Sequence, residues 1–536
     1  MKKYFNKICA VALMALCALP AMAQLNGSGY YRFRNAQNTS DYISITNDKF
    51  NYLTVISTAG GGIGALMSDA GKTRAMQCAT KYLQNDIHLI NDPDVIDLAS
   101  VIYAQKRNAY STNYEYNLIG QGTSLLTLTT GYYDGTLDFN FQDLYITLSA
   151  VSGSGANTLY TASMPLKASN NSMADLGVRY FVDESGKFDT DVSSVTSQNK
   201  AKWYVEPVTH FNVLPEVELN GKYYTTLKVP FAVQLSGQVE KAYKITANNS
   251  GVLEYEMIAS TGGTVPAGTP VLLQCGSPNA ADCQLIPTGQ PTFTAPQAVT
   301  NTNCPAATDV TTPTSDNLLA GTYYCNTDGQ VPFTNKNNGT SYLDGNHNVA
   351  AGSKYVIGKD ANGKLGFVLA TGQGLTYMPA NKAWTLSAGL FPTLATPSFS
   401  LAAGTYTGVQ TVNITAEDDA TIEYSTDGGN TWQTYIDAIM LEESATIQAR
   451  AIKPGLYNNS DVASAEYVIE TVSVNLGDVN DDGIVDINDV TCLIDHLLGL
   501  ETETFVEANA NVDGDNEISI NDVTTLIDFL LGIITF

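Results

Sequence analysis

A chain of 536 residues with 44% hydrophobic and 15% charged side chains is too apolar for disorder and long enough for about three or four domains. Its 44 Gly and 30 Tyr, with abundant Thr, Val and Ser, point to globular β-structure. The formal net charge of -26 excludes nucleic acid and anionic lipid as electrostatic partners.

Lys2, Lys3 and Lys7 precede an apolar run over residues 8–19, and Ala21, Met22 and Ala23 give a small-x-small site before Gln24. This pattern predicts a secretory signal peptide over 1–23, cleaved after Ala23, and a secreted, extracellular or cell-surface protein. No other apolar run is long enough to span a bilayer, so no transmembrane anchor is expected. In the region 24–210, the runs GYYRFRN (29–35) and DYISI (41–45) alternate apolar with polar residues and read as a hairpin. Residues 93–107 read as a helix, because Pro93 suits a first helical position and Val95, Leu98, Ala99, Ile102 and Tyr103 form a stripe. Strand-like runs LLTLTTGYY, LYITLSAV and RYFVDES follow, and KWYVEPV around Trp203 closes the region. The opening and closing runs resemble one lobe of a ricin-type β-trefoil, a fold that commonly binds sugars.

Residues 211–390 read as antiparallel β-structure, from YYTTLKVPFAVQL and KAYKIT through VPAGTPVLLQ to KYVIG, KLGFVLA and MPANKAWTL. This style resembles a β module common in exported proteins of the Bacteroidetes, with no chemistry to carry over. Its aromatics serve either a core or a glycan-stacking platform. Beyond the signal peptide stand Cys78, Cys275, Cys283, Cys304, Cys325 and Cys492. An even count permits disulfides, with Cys275 and Cys283 the most local pair, and equally permits buried free thiols. Residues 278–313, rich in Thr, Pro, Ala and Asn, read as a loop or a small insertion.

Over 395–470, the runs TVNIT, TIEYST, TIQARAI and SAEYVI show period two, with turn residues every eight to twelve places. Asp427, Gly428 and Gly429 mark a hairpin before Trp432. The pattern resembles the immunoglobulin-like chitobiase/hexosaminidase C-terminal domain. The resemblance implies a non-catalytic appendage of the kind found beside carbohydrate enzymes.

The tail repeats one unit. Residues 477–499 read GDVNDDGIVDINDVTCLIDHLLG and residues 510–532 read ANVDGDNEISINDVTTLIDFLLG. A twelve-residue loop that binds a hard cation supplies oxygens from places 1, 3, 5, 7, 9 and 12, with place 7 giving only its carbonyl. In the first copy these places are Asp478, Asn480, Asp482, Ile484, Asp486 and Asp489; in the second they are Asn511, Asp513, Asp515, Glu517, Ser519 and Asp522. Gly483 and Asn516 fall at place 6, where the chain turns sharply. Val490, Leu493, Ile494, Leu497 and Leu498 then recur at helical spacing, as do Val523, Leu526, Ile527, Leu530 and Leu531. Each stripe needs a partner, so the two helices are expected to pack together. Four carboxylates in the first loop against three in the second predict that the first binds calcium more tightly. The unit resembles a type I dockerin. That resemblance implies two calcium ions and a cohesin-like partner, recognised in part by Ile487 and Asn488 and by Ile520 and Asn521. Cellulosomal dockerins often carry a hydroxyl pair at those places, and this sequence departs from them.

No catalytic motif stands out. His88, His210, His347 and His496 lie in no recognisable arrangement, no GxSxG or HExxH occurs, and the glycine-rich residues 58–64 lack a P-loop lysine. Asp92, Asp94 and Asp97 could be nominated as a glycosidase carboxylate pair, but suit a helix N-terminus better. These readings predict a mainly β, multidomain protein: antiparallel β domains over 24–210 and 211–390, a β-sandwich over 395–470, and a small all-α calcium-loop domain over 476–536. The favoured function is a secreted modular protein that docks through the tail and binds glycan in the setting of polysaccharide breakdown. The alternative is a glycoside hydrolase with its catalytic part in 24–390.

Overall fold

The computed structural model describes residues 25, 27–37, 39, 42–45, 76–78, 94–96, 98–106, 115–120, 123–124, 131–133, 137–139, 146–165, 178–183, 188–191, 195–291, 312–321, 323, 354–375, 378–470, 474–500, 504–515 and 517–536. The signal peptide, the glycine-rich residues 58–64, Asp92, Asp97, Cys304, Cys325 and Asn516 lie outside them. The chain is mainly β and divides into two units: 1–393 with 454–458, and 394–453 with 459–536.

In the first unit, six strands close a ring. Gly29–Asn35 pairs with Ile102–Lys106, then follow Glu115–Gly120, Ile146–Ser152, Leu159–Pro165 and Trp203–Pro207, which returns to Gly29–Asn35. Every pairing is antiparallel, and ring order follows chain order. Between the first and second, third and fourth, and fifth and sixth ring strands the chain makes a short antiparallel pair: Ile43–Ile45 with Met76–Cys78, Gly131–Tyr133 with Leu137–Phe139, and Val178–Asp183 with Phe188–Asp191. Strand–pair–strand therefore occurs three times. Phe33, Ile102, Tyr116, Leu118, Leu148 and Trp203 fill the core, and Trp203 Nε1 donates to the Phe181 carbonyl.

Two local expectations fail here. Residues 98–106 form a single 3-10 turn, Leu98–Ser100, and a strand, Ile102–Lys106, rather than a helix. Ile102 and Ala104 point into the ring while Val101 and Tyr103 pack on a second core with Phe231, so the segment is apolar on both faces. Such a run has no period-two signature to separate it from a helix. The expected hairpin of 29–35 with 41–45 is reduced to one bridge, Arg34 with Tyr42; Ile43–Ile45 instead pairs with Met76–Cys78.

The rest of the unit holds an eight-stranded sheet and a four-stranded sheet. The pairings are antiparallel except that of Val252–Ser260 with Gly389–Leu390, which is parallel. Cys275 and Cys283 are buried free thiols beside one another, with Cys275 opposite Val239 and Cys283 opposite Gly237. The segment 454–458 belongs to this unit. Leu456 is fully buried in its core, and the Asn458 amide pairs with Leu365 and Phe391.

In the second unit, residues 398–453 and 459–470 form sheets around Val412, Ile414, Ile447, Ala449 and Tyr467. Along Ala463–Glu470 buried and exposed residues alternate strictly, as expected of a strand with one wet face. The 427–429 turn is locked by the Asp427 carboxylate, which accepts from Thr431 N–H, Thr431 Oγ1 and Ser425 Oγ. Those bonds favour the ionised form and hold its pKa down at about 2. Trp432 is half-buried under the Arg450 guanidinium.

Candidate metal centre

The two loops of the tail each run into an eleven-residue helix, Ile487–Leu497 and Ile520–Leu530. The place-9 residues, Asp486 and Ser519, are also the helix N-caps, accepting from Asn488 N–H and Asn521 N–H. The place-12 residues, Asp489 and Asp522, complete capping boxes. The residue types that offer oxygen to a cation are therefore those that start the helices.

Asp489 and Asp522 are fully buried, with both oxygens turned back into their own loops. Asp489 accepts from Asn480 N–H at 3.0 Å and Asp486 N–H at 2.8 Å; Asp522 accepts from Asp513 N–H at 3.2 Å and Ser519 N–H at 2.8 Å. Place 1 differs between the loops. The Asp478 carboxylate is 2% exposed and accepts from Asp482, Gly483 and the Asn475 amide, whereas Asn511 is half-buried and accepts from Gly514 N–H. The loops tighten through Asn480 Oδ1 to Asp482 N–H and Asp482 Oδ1 to Ile484 N–H, mirrored by Asp513 to Asp515 and Asp515 to Glu517. Gly483 has φ +82° at place 6, as its residue type predicts. A second left-handed residue at place 4, Asp481 at +58° and Gly514 at +75°, was not foreseen from the sequence.

Carboxylate oxygens of Asp513, Asp515 and Asp522 lie within 4.8 Å of one another. Asp513 accepts a bond from Asp515 N–H that favours its ionised form, yet desolvation and the neighbouring Asp522 and Asp515 carboxylates prevail and raise its pKa. A divalent cation would relieve that crowding, and an all-oxygen set suits a hard ion such as calcium. The residues present thus fit the ion the loop pattern implies.

Behind the loops, Val479, Val490, Cys492, Leu493, Ala510, Val512, Val523 and Leu526 make one core. Cys492, absent from the expected stripe, is buried, and its thiol donates to the Thr504 carbonyl. Leu498 and Leu531, expected within the stripes, are 70% and 69% exposed, because each lies past the last turn of its helix. Ile487 and Ile520, at the first helical position, are 64% and 66% exposed, and Asn488 and Asn521 beside them are exposed as well. Gly477 enters the first loop at φ +93°, where a Cβ would meet Phe536, Val485 and Leu526.

Residues 401–464 match the Chitobiase/beta-hexosaminidase C-terminal domain family, and residues 476–531 match the Dockerin type I domain family. The tail is therefore a dockerin module, which implies a cohesin as partner and calcium as ion. No curated protein matches the chain. Among the described residues no helix is long and apolar enough to cross a membrane.

Proposed function

We propose that this chain is an exported modular protein that docks onto a cohesin-like domain through a tail ordered by two calcium ions and carries a glycan-binding front. The observation that carries the reading is the duplicated loop, with oxygen-bearing residues repeated at places 1, 3, 5, 9 and 12 and three carboxylates of the second copy gathered within 4.8 Å of one another. Asp478, Asn480, Asp482, Ile484 (carbonyl), Asp486 and Asp489 would hold one ion, and Asn511, Asp513, Asp515, Glu517 (carbonyl), Ser519 and Asp522 the other. Bound calcium would offset the crowded carboxylates and fix the loops. The exposed Ile487, Asn488, Ile520 and Asn521 would face the partner. An export signal over 1–23 agrees with this use, as does a domain division near 210, 390 and 470.

Glycan binding by 24–210 is supported by the ring of six strands with three interposed pairs, the arrangement a β-trefoil requires. The match of 401–464 to a domain named for chitobiase supports polysaccharide breakdown as the setting, and also keeps a hydrolase in view, with its catalytic part in 24–390. The two are separated by a glycan array and a reducing-sugar assay on the full chain. Binding without release of reducing ends is the expected result. Turnover abolished by substituting two acidic residues of 24–390 would establish the hydrolase instead.

A further inference from the structure

The two copies of the tail repeat diverge just ahead of their loops. The place occupied by Leu476 in the first copy is Asn509 in the second. Leu476 packs against the core, as the repeat would lead one to expect. Asn509 is 2% exposed in the same core region, yet polar. A buried amide is retained at a cost unless its donors and acceptors are used, and here they are used across the repeat rather than within it.

Asn509 Oδ1 accepts from Asn475 N–H at 3.0 Å, and its Nδ2 donates to the Asp478 carbonyl at 2.7 Å. Its own carbonyl accepts from Gly477 N–H at 2.9 Å. Three bonds from one residue therefore grip 475–478, the entry to the first loop. Asn475, so held, turns its side-chain amide onto Asp478 Oδ2 at 2.9 Å. Asp478 is the place-1 oxygen donor of the first loop, and Asn509 stands two residues before Asn511, the place-1 donor of the second. Nearby, Val506 N–H donates to the Val479 carbonyl, so the short helix Glu507–Ala510 is pinned to the first loop at both ends. At the place matching Asn475, the second copy has the exposed Ala508, whose methyl side chain can donate nothing, so the second loop lacks the equivalent clamp.

We infer that Asn509, acting through Asn475, is a positioning residue for the first calcium loop and couples ion binding there to ordering of the segment that leads into the second. The inference rests on the reading of both loops as calcium sites. Neither asparagine needs to touch the ion. They fix the carboxylate that does, as hydrogen-bond partners of metal ligands generally do, and the shared segment makes the two sites reciprocal in their effect on one another.

The test is a calorimetric calcium titration of the full chain, with hydrogen exchange of the tail at saturating calcium as a check on folding. In an Asp522→Ala background, which leaves the first loop alone, Asn509→Ala is expected to weaken calcium binding by about tenfold to a hundredfold. In an Asp489→Ala background, which leaves the second loop, the same change is expected to have a much smaller effect. Asn475→Ala, a substitution at an exposed position, should weaken the first loop in the same direction, and the double variant should be no worse than Asn509→Ala alone. Unchanged first-loop affinity in Asn509→Ala overturns the inference. If the Asn509→Ala tail does not fold at saturating calcium, Asn475→Ala decides, and unchanged affinity there overturns it equally. A parent chain that takes up no calcium removes the calcium reading together with the inference, whereas normal uptake with unaffected variants removes the inference alone.

Discussion

Chelating calcium from the full chain is expected to accelerate amide exchange of both helices, Ile487–Leu497 and Ile520–Leu530, by about a thousandfold. A ligand at a thousand times its dissociation constant adds about 4 kcal/mol to the state that binds it, and that contribution disappears with the ion. Little else replaces it. An isolated helix of eleven residues is marginal in water. The capping boxes at Asp486 and Ser519 survive metal removal, but each is worth only about 1 kcal/mol. The core behind the loops is small, and without the cation Asp513, Asp515 and Asp522 repel one another. Exchange of the strands Trp203–Pro207 and Ala445–Ile452, which lie outside both calcium loops, should be the same with and without chelator. Exchange measured by mass spectrometry reports both regions in one experiment. Equal protection of the helices in both conditions would mean that the tail folds without metal.

Asn458→Ala is expected to destabilise the first unit by about 3 kcal/mol or more. The Asn458 amide is fully buried; Oδ1 accepts from Leu365 N–H at 2.6 Å, and Nδ2 donates to the Leu365 carbonyl at 3.0 Å and the Phe391 carbonyl at 2.8 Å. Alanine takes this partner from the buried Leu365 N–H and Phe391 carbonyl, at about 1–3 kcal/mol each, and removes one of two donors from the Leu365 carbonyl, which keeps Phe391 N–H, with the sum below full additivity. Asn458→Asp keeps the acceptor for Leu365 N–H but sets a carboxylate against two carbonyls, and should do no better. The loss is read as faster exchange along Leu365–Leu369, the strand the amide holds. Wild-type exchange there in Asn458→Ala would show that the amide contributes little.

How legible each region was in the sequence follows from how many of its faces water touches and how much of its chemistry is local. The tail was legible because cation loops demand particular residue types at fixed places within twelve residues, and the same residues start the helices. Ala463–Glu470 was legible because one face is solvated. Ile102–Lys106 was not, being apolar on both faces, and the pairing of Gly29–Asn35 with Trp203–Pro207 joins segments too far apart for any local period to encode. Helix ends were overrun, since apolar residues such as Leu498 and Leu531 continue the stripe past the last turn and remain in solvent. Asn509 was missed, although aligning the two copies would have exposed it as the place where the leucine of the first copy, Leu476, becomes polar.

A docking tail ordered by calcium should hold its partner only while the ion is bound. The most direct measurement is retention of a cohesin-type domain by the immobilised full chain in calcium, in EDTA, and after calcium is restored. Retention in calcium, loss in EDTA and recovery on restoring the ion are expected, with the Asp489→Ala, Asp522→Ala double variant failing to retain the domain in calcium. Equal retention with EDTA, or by the double variant, would contradict the account.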